Sequence, residues 1–452
     1  MDLKGKKVLV VGLGKTGEEL CRFLLNRGAR VKISEKKKHE ELGQKFHFWA
    51  KNGVTMETGG HELKSFLESD LIVLSPGVPT IPELCEAKAH GVKIISEIEL
   101  AYRFLKGKIV GVTGSNGKST TATLIHKILK NGGLEAYLAG NIGIPLISLV
   151  ENSKKNHIFV TELSSFQLKH TEQFKVSVSV LLNISPDHLD WHKTFEDYFE
   201  AKKKIIISQE KEQIAILNKD DPLIWGLKKQ SVYGFSRKNK ITPGCFIQKN
   251  WIVLSNQKEE KLMKLSEIPL LGTHNQENIM AAALVGYIFG IPLLKIKNSI
   301  KNFKGLEHRL EKVLTKQGVD FYNDSKATNV DATLKSIQSF KKKIILILGG
   351  RDKGEDFRRL RKTVENQVKR IILIGESRIK IEKALINTAP IDTVSSLKEA
   401  VRIAYSSAEP GEVVLLAPAC TSFDMFQNFE ERGEIFKKEV FTLTKLKGQI
   451  AE

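Results

Sequence analysis

Residues 108–120 read KIVGVTGSNGKST. A β-branched run gives way at Thr113 to small residues, and Gly117-Lys118 then opens the helical stretch ATLIHKILKNGG at 122–133. Strand, glycine-rich turn and helix in that order predict a phosphate cradle. Small residues leave backbone N–H groups open to phosphate oxygens, Lys118 reaches the β- and γ-phosphates, and a hydroxyl of Ser119 or Thr120 holds Mg²⁺. The strict phosphate-loop pattern places glycine five residues before the Gly-Lys pair; Val112 stands there, so the match is to a shorter variant, TGSNGKST at 113–120.

Downstream, HIFVTE (157–162) ends on Glu162, where an acid sits beside such a loop to hold a metal. The run VSVLLNIS (178–185) ends in PDHLDWH and brings Asp187, His188, Asp190 and His192 toward the same rim. Open parallel sheets bind ligands at that carboxyl edge, although Asp187 and Asp190 read equally well as helix caps. Further runs such as RVKIS (30–34), DLIVLS (70–75), KKIILILGG (342–350), RIILIG (370–375) and EVVLLAP (412–418) alternate with helical stretches from end to end. Such alternation predicts an α/β protein with parallel sheets. Residues 230–271 hold shorter runs (CFIQ, WIVLS, KLMKL) and read as an antiparallel excursion.

A second glycine turn, GLGKTG, follows the strand KKVLVV (6–11), and Glu35 closes the next strand. Gly12, Gly14 and Gly17 make the dinucleotide fingerprint in its strand-to-helix setting, which suits NAD or any nucleotide diphosphate and also occurs as a plain structural turn. The chain therefore divides into three blocks: 1–105, 106–304 and 305–452.

At roughly 150 residues per domain, 452 residues agree with three domains. Apolar residues at 41% and charged residues at 27% exclude wholesale disorder. The net charge of +19 invites a nucleic-acid or membrane-surface reading. Only 14 of the 71 basic residues are Arg, the side chain suited to planar phosphate and base recognition. The excess sits mainly in the middle block, +11 against +3 before and +5 after, and reads as lysine-rich solvated surface. Four scattered cysteines fit neither a zinc site nor a disulfide framework. With no signal-peptide pattern and no apolar stretch of membrane-spanning length, a cytoplasmic protein without membrane insertion is expected.

These residues resemble the ATP-dependent Mur ligases, within them the glutamate-adding branch. The resemblance spans nearly the whole chain: TGSNGKST (113–120), AGNIG (139–143), TELSSFQL (161–168), DHLDWH (187–192), GTHNQEN (272–278), LEHRLE (306–311), NDSKATN (323–329) and PACTSFDMFQNFEERG (418–433) stand in the family's order. It implies a Rossmann-like N-terminal domain for the UDP end of a substrate, a central ATPase domain of phosphate-loop type, and a Rossmann-like C-terminal domain that brings the amino acid. GLGKTG is thereby reassigned from NAD to the UDP diphosphate.

Carried over by position, the resemblance implies that Gly114, Ser115, Asn116, Gly117, Lys118, Ser119 and Thr120 bind ATP phosphates. His274, Asn275 and Asn278 receive the adenine, and Arg309, Asp324 and Lys326 reach ATP from the C-terminal block. Ser119, Glu162, His188 and Lys202 hold Mg²⁺, two ions in all, with Lys202 carrying a CO₂-derived carbamate. Read from the sequence alone, Lys202 is only the first of three surface lysines in FEAKKK.

Asn141 contacts substrate or phosphate near the reacting carboxylate, with His188 close by. Gly14, Lys15, Thr16, Glu35, Lys36, Ser75, Pro76 and Gly77 face the UDP-sugar, and Thr328, Lys353, Ser422 and Phe429 form the D-glutamate pocket. Relatives often carry Asp-Thr-Arg after the second strand where this chain has Ser34, Glu35 and Lys36, so the uridine contacts stay open there, with Lys36 a point charge for a phosphate.

The implied partners are UDP-N-acetylmuramoyl-L-alanine and D-glutamate, used by a monomer in peptidoglycan precursor synthesis. Other Mur-type or folate-extending ligases are the near rivals. An NAD oxidoreductase leaves the Gly-Lys loop without a task. A nucleic-acid binder lacks aromatic ribonucleoprotein-like runs and basic recognition helices.

Overall fold

The computed structural model describes residues 1–207, 212–228 and 231–445. Three sheets carry the fold. The first orders its strands Thr55–Thr58, Arg30–Glu35, Lys7–Val11, Leu71–Leu74 and Lys93–Ser96, all parallel. Among the described residues the second has nine strands and the third six. Runs such as LIVL at Leu71–Leu74 and IILILG at Ile344–Gly349 are buried along their whole length, because helices cover both faces of a parallel sheet and leave no solvated side for alternation. The protein is thus α/β, as the alternation of strands and helical stretches predicts.

The core of the second sheet places Lys108–Thr113 between Ile158–Glu162 and Val178–Leu181, so the strand feeding the Gly-Lys loop is flanked by those ending toward Glu162 and Asp187. The excursion at 230–271 needs correcting in part. Val232–Ser236 and Gly244–Gln248 pair in parallel, and antiparallel pairing begins only at Trp251–Ser255 and Glu259–Lys264. The reversal comes at Lys249 and Asn250, both in the left-handed region, which matches a two-residue hairpin turn.

Compactness divides the chain into two units, Met1–Pro186 with Trp191–Ser266 and Glu277–Ile300, and Asp187–Asp190 with Glu267–Gln276 and Lys301–Glu452. Inside the first unit, helix Glu97–Tyr102 leads out of the first sheet. Buried Glu99 accepts the backbone N–H groups of Glu172 (2.9 Å), Gln173 (3.0 Å) and Phe174 (2.9 Å) and pairs with Arg103 at 2.7 Å. Glu97 accepts the N–H of Ile147 at 2.7 Å, and burial pushes its carboxyl up to about 7. Two sheets are thereby tied together by carboxylates that reach backbone donors no strand satisfies.

Candidate active site

The Gly-Lys loop is built as the sequence implies. Gly117 takes φ 87° as the cap of helix Lys118–Gly132, and a Cβ there would meet Asn278 Oδ1 at 2.3 Å, so glycine is required on both counts. Lys118 Nζ folds back onto the carbonyls of Gly114 (2.9 Å) and Ser115 (2.8 Å). Ser119 and Thr120 are buried in the first turn. Asn183, which the sequence reading did not single out, clasps the loop: its Oδ1 accepts the Asn116 N–H and its Nδ2 donates to the Asn116 carbonyl.

Glu162 ends its strand 2% exposed. One carboxylate oxygen accepts Asn141 Nδ2 at 2.8 Å, and the Asn141 N–H donates to the Glu162 carbonyl. The other oxygen is buried and has no donor among the described residues. A buried carboxylate oxygen left so is costly unless a cation satisfies it. This donor set fits a magnesium ion beside polyphosphate, with the Ser119 hydroxyl on the adjoining turn.

Lys202 corrects the surface-lysine reading. It is buried, its Nζ lies 2.9 Å from the Gly114 carbonyl and 3.3 Å from Thr113 Oγ1, and it sits over the Tyr198 ring. The helix Phe195–Ile207 turns this one of the three lysines inward while Lys203 pairs with Glu200 outside.

His192 also departs from the expectation. It does not stand at the rim: its ring is buried and bonded to Ser165 and Asp197. Asp190 lies in helix Leu189–His192, and its side chain falls outside the described residues. Asp187 and His188 group with the second unit. There Asp187 lies 3.5 Å from Lys353 Nζ and accepts Asn329 Nδ2 at 3.3 Å, and His188 adopts φ 54°.

In the first sheet the glycine turn is held by neighbours. Ser75 Oγ donates to the Gly12 carbonyl at 2.8 Å, and Glu35 accepts the N–H groups of Leu13 (2.6 Å) and Lys37 (3.0 Å). An open cavity of about 390 Å³ lies against it, lined by Leu13, Gly14, Glu35, Lys37, Glu41, Leu42 and Lys45. Lys36 is exposed and does not line this cavity; Lys37 does. Lys15 extends to the Gly143 carbonyl of AGNIG at 3.2 Å, Thr16 is half-buried, and Pro76 and Gly77 border a cavity about the size of one water with Gln167 and His170.

In the third sheet, strands Val319–Asn323, Val413–Leu416 and Ile344–Gly349 are neighbours, so their following loops converge. Arg351 and Thr421 exchange backbone bonds at 3.0 Å, and the Ala419 N–H donates to Ala327 at 2.9 Å. This gathers the segments carrying Lys326, Thr328, Lys353 and Ser422. Lys326 Nζ lies 3.6 Å from the Phe429 ring centroid. Asp324 is buried, accepts the Leu310 N–H and the Ser336 hydroxyl, and burial raises its carboxyl to about 6; its bond to Leu310 fixes the turn that carries half-buried Arg309. Asn275 donates to the Leu271 carbonyl at 2.7 Å, and His274 packs on Gly272.

Three family models match the chain: a Mur ligase MurD-like N-terminal domain at residues 6–96, a Mur ligase middle domain at 112–286, and a Mur ligase glutamate ligase domain at 308–420. A protein of Acidobacterium capsulatum named UDP-N-acetylmuramoylalanine–D-glutamate ligase is 45% identical, with 97% of this chain and 96% of that one aligned. The protein of the same name from Caldanaerobacter subterraneus subsp. tengcongensis is 44% identical over 98% of this chain and all of its own. Among solved structures, the MurF ligase of Thermotoga maritima in complex with ADP superposes with a TM-score of 0.60 at 18% identity, covering 98% of this chain and 96% of its own.

Proposed function

This chain belongs to the Mur ligase family, and from that membership we propose that it joins D-glutamate to UDP-N-acetylmuramoyl-L-alanine with cleavage of ATP, as a cytoplasmic monomer making peptidoglycan precursor. The observation that carries the reading is the continuity of the likeness, at 45% identity, through all three sheets. The Gly-Lys loop and the half-satisfied Glu162 support its ATP-dependent part.

A carboxylate does not condense with an amine in water, so it must first be activated. The alanyl carboxylate oxygen attacks the γ-phosphorus, the bond to the β-bridging oxygen breaks, and ADP leaves with an acyl phosphate formed. The amine of D-glutamate then attacks the acyl carbon, loses a proton, and phosphate departs. Every reactant in the first step is anionic, so charge neutralisation and positioning carry most of the catalysis.

Lys118 and the N–H groups of residues 114–120 would receive the phosphates, and Asn275, Asn278, Arg309 and Asp324 would complete the nucleotide site. Magnesium, held by Ser119, Glu162, His188 and carbamylated Lys202, would screen the charge between carboxylate and triphosphate. Asn141 would orient the carboxylate, Lys326 would approach the transferred phosphoryl group, and Asp187 and His188 are the candidates for the proton acceptor. The UDP-sugar would lie along Gly14–Thr16, Glu35 and Ser75–Gly77, with Lys37 in place of Lys36. Lys353, Thr328 and Ser422 would take the carboxylates of D-glutamate beside Phe429.

The test is phosphate release with ATP, Mg²⁺, UDP-N-acetylmuramoyl-L-alanine and a panel of amino acids. D-glutamate should support turnover and L-glutamate should not. Turnover only with another amino acid would reject the assignment.

A further inference from the structure

One cluster in the first unit is not used by the scheme above. His192 Nε2 lies 2.9 Å from Ser165 Oγ, and its Nδ1 lies 3.0 Å from Asp197 Oδ2. Lys169 Nζ reaches the same carboxylate oxygen at 2.6 Å. Asp197 sits in the first turn of helix Phe195–Ile207, where a negative charge is favoured. The ring is fixed from its faces and edge as well: Phe166 stacks on it with planes 14° apart, and Tyr198 meets it edge-on.

The connectivity is that of a nucleophile, base and acid. Ser165 is only 2% exposed, however, so its hydroxyl has no open approach for a substrate. The cluster's reach runs the other way, along the helix. An ionised Asp197 only accepts, so Nδ1 carries the proton, and neutral His192 accepts the Ser165 hydroxyl at Nε2. Burial lowers the His192 pKa, with Asp197 pulling against it, which agrees with a neutral ring. One residue after Asp197, the Tyr198 hydroxyl lies 2.8 Å from Ser115 Oγ, and one turn further Lys202 touches the Gly114 carbonyl. Both contacts end on the Gly-Lys loop.

We propose that Ser165, His192 and Asp197 form a positioning relay that sets helix Phe195–Ile207 in rotation and height, and through Tyr198 and Lys202 shapes the loop that takes the ATP phosphates. His192 is the hub of the cluster, because its two ring nitrogens bond to Ser165 in the turn after Glu162 and to Asp197 on the helix carrying Lys202. The inference rests on the ATP-binding part of the proposed function, so its test reads nucleotide binding directly rather than ligation.

A fluorescent ATP analogue is titrated, with Mg²⁺, into the full chain. His192→Phe keeps the ring packing and deletes both hydrogen bonds; it should weaken binding about tenfold, or about 1.4 kcal/mol. Ser165→Ala, the mild variant, should weaken it about threefold, and Ser165→Thr, which restores a hydroxyl, should recover most of that. Because the serine acts through the histidine, Ser165→Ala should cost nothing further in the His192→Phe background.

Wild-type affinity in both single variants, even with a lowered melting temperature, would make the cluster merely structural and overturn the proposal, as would simple additivity. Covalent labelling of Ser165 by a fluorophosphonate would overturn it in favour of a nucleophile. A wild-type chain that binds no nucleotide would instead overturn the ligase reading on which the proposal rests.

Discussion

The glycine turns at 12–17 and 114–117 both join a buried parallel strand to a helix, yet the acid on the neighbouring strand behaves differently at each. Glu35 commits both carboxylate oxygens to backbone N–H groups, of Leu13 and of Lys37. Glu162 gives one oxygen to Asn141 and keeps the other buried without a donor among the described residues. The lysines differ in the same sense: Lys15 extends away to Gly143, whereas Lys118 folds over its own loop. The first turn is braced on both oxygens of its acid, and the second leaves one oxygen of its acid unsatisfied, as the proposed binding of a cation beside a polyphosphate requires. The local pattern makes a phosphate turn; the neighbouring strand end decides what chemistry it can support.

Four substitutions, one of them paired with a control, test this contrast in falling order of effect. Lys118→Ala should reduce ligation by 10³-fold or more, on the order of 4 kcal/mol of transition-state stabilisation. Calorimetric binding of the UDP-substrate should persist, and near-normal turnover would remove the loop from the reaction. Lys202→Ala should lose about 10²-fold, roughly 2.7 kcal/mol, and regain part of it when short carboxylates are added in place of the carbamate. Full activity without rescue would take Lys202 out of the metal site.

At the braced turn the effects should appear in stability and substrate affinity. A Cβ on Gly17 would meet the Gly12 carbonyl oxygen at 2.1 Å, whereas one on Gly14 meets nothing within 4 Å. Gly17→Ala should therefore destabilise the first unit by about 2 kcal/mol in urea, with Gly14→Ala close to wild type; equal effects would contradict the turn's geometry. Glu35→Gln keeps one acceptor oxygen and loses the charge. It should raise the KM for the UDP-substrate about threefold, or about 0.7 kcal/mol, with kcat unchanged. A fall in kcat instead would mean that the first turn takes part in catalysis and would erase the contrast.

The parts of this site that lie consecutively in the chain were legible in the sequence. Strand, glycine turn, Lys118 and the acid ending at Glu162 follow from local pattern, because backbone geometry there is set by neighbours a few residues away. Lys202 was legible only through resemblance: which of three adjacent lysines faces inward depends on how the helix Phe195–Ile207 packs. His192 was misplaced for the same reason, since its partners Ser165 and Asp197 come from separate elements. Asn183 gave no signal, as a lone asparagine beyond a strand has no periodicity to mark it. The parallel pairing of Val232–Ser236 with Gly244–Gln248 was missed because short apolar runs carry no information on strand direction.

Helix Glu97–Tyr102 also bears on how this protein comes apart. Its Glu99 holds three successive amides of the central sheet's loop, and each would lose a charged acceptor if the first sheet pulled away. Fraying of the first sheet is therefore coupled to that of the second. The amides of Glu172, Gln173 and Phe174, which lie in a loop, should exchange with solvent as slowly as strand amides, and the first unit should melt in a single transition.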